Sequence, residues 1–144
     1  MPKNTLKLRP SPKASTEERK VAKRWTAKLV ADGFTPVSDY FLKNYHRLSP
    51  PLTSSEAMLV VHLVLHKWGE DAPYPAFKTL AKRMGITATS ARNHARKLEQ
   101  KSYLHREKRV GTTNRFHLEP LFEALEKLRA ADERGKASAA KDIA

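Results

Sequence analysis

The stretch Thr87–Lys97, TATSARNHARK, combines hydroxyls, one carboxamide and three Lys/Arg cations with alanines too small to fill a core alone. At helical spacing Ala91, Ala95 and Leu98 share one face, leaving Thr89, Ser90, Arg92, Asn93, Arg96 and Lys97 on the other. Such a face suits a groove that is narrow and negative. A DNA major groove, roughly 12 Å wide, admits one helix, and small residues in its first turn allow close approach to base edges. Arg92 and Asn93 are types that make bidentate contacts, arginine to guanine and asparagine to adenine. Thr89 and Ser90 can reach bases or phosphates, Arg96 and Lys97 lie over phosphates, and Thr87 caps the helix at its start. A second set, Lys108, Arg109, Thr113, Asn114 and Arg115, brackets Gly111 in a loop suited to lie along the backbone or enter the minor groove. The competing reading is a solvated basic face beside a plain hairpin.

Other chemistries are less well provided for. His62 and His66 stand one helical turn apart, a metal-binding spacing, but HLVLH lacks the glutamate that a zinc protease places beside its first histidine. Satisfied or half-buried histidines are the expectation, with no metal. The chain has no cysteine, no serine elbow and no glycine-rich phosphate loop. Only Glu99 and Glu107 supply carboxylates within 82–117, too few for a two-metal nuclease. The expectation is a binding protein rather than an enzyme, without cofactor.

The elements that must position these residues follow from caps, prolines and periodicity. Residues 1–14 hold three prolines and no apolar period, as expected of a disordered basic arm. Ser15 and Glu18 open one amphipathic basic helix of about four turns, 15–33, with Val21, Trp25 and Leu29 on a stripe and Gly33 as its stop. Pro36 is predicted at the first position of a short helix reaching about Tyr45. Thr53 and Glu56 form a capping box ahead of AMLVVHLVLHKW, the predicted central helix. Tyr74 is expected in a short strand contact. A helix from Ala76 to Met84 turns sharply at Gly85 into helix 88–101, and alternation around GTTN predicts a hairpin. Pro120 opens a last helix carrying Leu121, Leu125 and Leu128 that frays after Ala131, leaving 134–144 as a flexible tail. Residues 34–133 would form the DNA-binding domain. Either the Val21/Trp25/Leu29 stripe or the final leucine stripe offers a homodimer contact.

Charge supports this order. The chain of 144 residues carries a net charge of +13, concentrated in residues 1–28 (nine Lys/Arg, two acids) and 82–117 (ten Lys/Arg, two acids). A polyanion is the implied partner. No run of apolar residues is long enough for a membrane span, and no secretory signal is visible, so a cytoplasmic, nucleoid-associated protein is expected. The fold expected is mainly α with a small β-hairpin wing, a winged helix-turn-helix with additional N-terminal helices.

AFKTLAKRMGITATSARNHARKLEQKSYLHREKRVGTTNRFHL resembles the winged-helix DNA-binding superfamily: Leu-Ala on a small helix, a glycine turn, a Ser/Thr cap, an arginine-rich helix and a wing. With FTPVSDYFLKNYHRLSPPLTSSEAMLVVHLVL before it, residues 34–118 are similar to the N-terminal domain of DnaD-type replication initiation proteins. One departure is Ser102, where that pattern has glycine after the recognition helix. A sequence-specific duplex-DNA-binding protein is therefore expected, and a small transcriptional regulator is the most economical use of so short a chain. The alternatives are a replication-initiation or partition factor of a plasmid or phage, and a sequence-neutral architectural protein.

Overall fold

Hydroxyl side chains start most of the helices in the computed structural model, which describes residues 15–67 and 69–143. The chain divides at Pro36/Val37 into two units.

In the first unit, Ser15 Oγ accepts from Glu18 N at 3.1 Å and starts α1 (Thr16–Arg24). The single four-turn helix expected over 15–33 is broken. Trp25 leaves helical geometry at φ −104°, ψ −101°, and Thr26 Oγ1 accepts from Leu29 N to cap a separate α2 (Ala27–Val30). The threonine supplies the orphan amide of a new first turn, a local bond that competes with continuing the old one. Neither helix buries a residue, and Trp25 and Leu29 are exposed. The expected arm, 1–14, lies outside the described residues.

The second unit opens with α3 (Asp39–Asn44), capped by Ser38 rather than begun at Pro36, because Ser38 Oγ accepts from Phe41 N at 3.2 Å. A 3₁₀ turn, Tyr45–Arg47, follows. The capping box forms as predicted: Glu56 N donates to Thr53 Oγ1 at 3.1 Å and Thr53 N to Glu56 Oε1 at 2.9 Å. It opens α4 (Ser54–Leu65), which buries Ala57, Leu59, Val60 and Leu63 at the centre of the core.

Next comes α5 (Phe77–Met84), which buries Leu80 and Ala81 and ends at Gly85 with φ +69°. That left-handed residue lets Ile86 N donate back to Ala81 O, turning the chain within two residues. Thr87 Oγ1 then accepts from Ser90 N to cap α6 (Ala88–Gln100). The far end of α6 closes the same way without glycine. Ser102 adopts φ +65°, and Tyr103 N donates to Leu98 O at 2.9 Å.

The hairpin pairs β1 (His105–Glu107) with β2 (Arg115–His117), Arg106 opposite Phe116. Tyr74 lies in no strand, contrary to expectation; its neighbour Pro73 instead accepts a single backbone bond from Phe116 N of β2 at 2.9 Å. Helix α7 (Glu119–Ile143) continues well beyond Ala131. A tertiary latch holds it where fraying was expected: Arg47 donates to both carboxylate oxygens of Asp132, at 2.8 and 3.0 Å, and Tyr40 Oη adds a bond of 2.7 Å. Arg47 first, and then Tyr40, hold the Asp132 carboxyl far below its ordinary range. The leucine stripe of α7 is not a free dimer surface. Leu121 is fully buried, and Leu125 and Leu128 pack half-buried against the core of this same chain.

His62 and His66 have different surroundings. His66 Nε2 meets Arg83 Nη1 at 3.0 Å, whereas His62 Nδ1 is buried without a hydrogen-bond partner among the described residues. Burial, and then the Arg83 cation, push both imidazoles below their ordinary pKa. Among the described residues, no helix is long and apolar enough to cross a membrane.

Candidate nucleic-acid interface

Helix α6 seats its small residues inward: Ala91, Ala95 and Leu98 are fully buried against the core. At about 100° per residue, the direction opposite that seam belongs to Thr89, Asn93, Arg96 and Gln100, with Lys97 beside them. All five are exposed. Asn93 Oδ1 accepts from Arg96 Nη1 at 3.1 Å, so the crest carries its own amide–guanidinium pair. The same geometry moves Arg92 off the crest. Its guanidinium carbon stands 5.6 Å from the centre of the Phe77 ring. On this flank Glu99 also meets Arg106 of β1, Arg106 Nε lying 2.6 Å from Glu99 Oε1.

The other flank is a clamp. Lys101 Nζ donates to Glu56 Oε1 at 2.6 Å and to Pro51 O at 2.9 Å, and Tyr103 Oη donates to Pro50 O. Burial alone would push the Glu56 carboxyl up, but the hydrogen bonds from Lys101 and Thr53 hold it below its ordinary value. The N-cap of the central helix and the C-cap of α6 are thus one cluster.

Two predicted contact residues are occupied at the opposite end of α6. Thr87 accepts from the Ser90 amide and donates to Ser90 Oγ, so both serve the start of α6. In the hairpin, Lys108 and Arg115 are exposed. Arg109 instead turns inward: its Nε donates to Thr113 O at 2.8 Å and its guanidinium stacks 5.3 Å over Tyr74. Thr113 Oγ1 donates to Tyr74 O, so Arg109 and Thr113 brace the loop to residues 73–74. Asn114 is half-buried beside them. Glu107 is held below its ordinary pKa, first by a hydrogen bond with His117 at 2.9 Å and then by Arg115 and Arg109.

The helix before the turn adds cations that the sequence reading passed over. Lys78 and Lys82 are exposed one turn apart on α5, and their i, i+4 spacing was a usable signal. Gln100 was passed over as well. The Phe77 platform had no such signal, since an aromatic at core spacing reads as core.

A helix, a glycine turn, a second helix with an exposed polar crest and a braced basic hairpin follow one another in the order of a winged helix-turn-helix. The sequence profile of the DnaD N-terminal domain matches residues 37–136. The chain belongs to the DnaD N-terminal domain family. Its backbone is similar to the crystal structure of the N-terminal domain of DnaD protein from Geobacillus kaustophilus HTA426, with a TM-score of 0.60 and 25% identity over 83% of this chain and 96% of that one. No curated protein matches the chain. The DnaD profile begins at the boundary between the two units and runs past Asp132, so it takes in the Asp132 latch, the clamp and the whole candidate interface.

Proposed function

We propose that this DnaD-type domain binds duplex DNA in a replication-initiation setting, with α6 in the major groove and the hairpin on the adjacent backbone. The carrying observation is the exposed crest of α6, mounted on a buried alanine/leucine seam within one of the two basic blocks of the chain. Thr89, Asn93 and Arg96 face the base edges. Lys97, Lys108 and Arg115 meet phosphates, and Lys78 and Lys82 reach the backbone from α5. Thr87, Ser90, Arg109, Thr113 and Asn114 shape the surfaces that make contact. Family membership favours replication over the transcriptional regulator that chain length alone suggested.

The test is selection of bound fragments from a random duplex pool at about 150 mM salt, where non-specific affinity has fallen steeply. A recovered motif whose preference relaxes in Asn93→Ala, with Lys108→Ala weakening all duplexes alike, supports groove reading. Strong binding at low salt with nothing enriched would replace it by the architectural reading. Mapping the bound sites in cells then separates the uses: repeats at a replication origin support initiation, and promoters would restore the regulator. A symmetric motif would report a dimer.

A further inference from the structure

Phe77 sits at the start of α5, its ring edge-on to the buried Phe116 at 5.5 Å between centroids and 88° between planes. Two guanidinium groups converge on that ring, Arg92 from α6 at 5.6 Å and Arg106 from β1 at 5.5 Å. Cation–π contact holds both without neutralising either. One carboxylate serves the pair: Glu99 Oε1 accepts from Arg106, leaving Arg92 with no ion pair among the described residues. The Arg106 side chain keeps 16% of its surface accessible and Glu99 keeps 30%, so the ion pair is partly open to solvent and the carboxylate is the more exposed partner. Glu99 is one of only two acids within 82–117.

We infer that Arg92 and Arg106, stacked on Phe77 between α6 and the hairpin, form a binding notch for a DNA backbone phosphate, and that Glu99 is its internal occupant. This rests on the duplex-DNA reading above. A phosphate oxygen offers the acceptor that Glu99 now supplies, at the seam where the strand leaving the major groove passes under the wing. Arg92 is the open half of the notch, so it grips the backbone and does not read a base. Arg106 is the half that Glu99 covers, and binding moves the carboxylate aside. Phe77 is a positioning residue that fixes the plane of Arg92.

Anisotropy titrations of a labelled duplex across a salt series test this with the full chain. Glu99→Gln should bind about three- to tenfold tighter than the parent, the scale of one freed charge-assisted hydrogen bond. Glu123→Gln, the same charge change at an exposed position on α7, should give a smaller gain. Adding Arg106→Gln to Glu99→Gln should abolish the gain, and Arg92→Gln should lower the log–log salt slope by about one without altering sequence preference. Phe77→Leu should weaken binding with the slope kept, and Phe77→Tyr should restore it. Equal gains from Glu99→Gln and Glu123→Gln, or loss of preference in Arg92→Gln, would overturn the notch while leaving DNA binding intact. A parent chain that binds no duplex at any salt would overturn both.

Discussion

The two basic blocks of this chain carry almost the same charge and, among the described residues, are mounted in opposite ways. Residues 1–28 hold nine Lys/Arg against two acids, and 82–117 hold ten against two. In the first block α1 and α2 bury nothing, and the ion pair of Lys20 with Glu17 spans 3.5 Å between largely exposed side chains. In the second, α6 stands on a buried seam, one flank is clamped through Lys101 and Glu56, and the hairpin is braced through Arg109 and Thr113. Charge of either kind draws a polyanion closer. Only the second kind holds a cation or an amide where a particular base or phosphate must be, because its backbone position is set by core packing.

Removing a cation from each block should break this comparison most sharply. Lys101→Met strands the fully buried Glu56 without its cation, and unfolding free energy should fall by about 3–5 kcal/mol. Lys20→Met, at the exposed pair, should change it by no more than about 0.5 kcal/mol. Chemical denaturation of the two variants side by side checks both, and similar losses would mean that the two ion pairs are equally supported by the fold.

A smaller effect is expected at the exit of α6, where Ser102 holds φ +65° to close the helix. Ser102→Gly should stabilise the fold by about 1 kcal/mol, since glycine adopts this conformation without a Cβ penalty. An unchanged or lower melting temperature would mean that the serine side chain compensates for its backbone.

The smallest stability effect should come from deleting residues 1–28. The melting transition of the remainder should stay in place, while the salt dependence of DNA binding becomes shallower and sequence preference is kept. Loss of preference in the truncated chain would give the first block a share in recognition.

Much of this was legible in one dimension because its causes are local. Thr53 and Glu56 announce their capping box by spacing alone, Gly85 marks the left-handed turn, and Thr87 with Ala91, Ala95 and Leu98 defines a capped helix with a narrow inward face. Where local cues compete, spacing was a poorer guide. Thr26 could end one helix or sit inside it, and Ser38 outcompeted Pro36 as a start, because a cap's hydrogen bond depends on backbone geometry that composition does not specify.

By itself, then, the sequence determined the order of the elements, the face of α6 turned inward and the charge block in which the interface lies, since periodicity, caps and side-chain charge act over a few residues. Tertiary structure alone decided which polar residues remain available to a partner. Arg92 faces Phe77, Arg109 turns back to Tyr74, Arg106 is covered by Glu99, and Asp132 is gripped by Arg47 and Tyr40. Each of those pairings joins separate elements, and a long flexible cation chooses among acceptors by distance, which only the packed core sets.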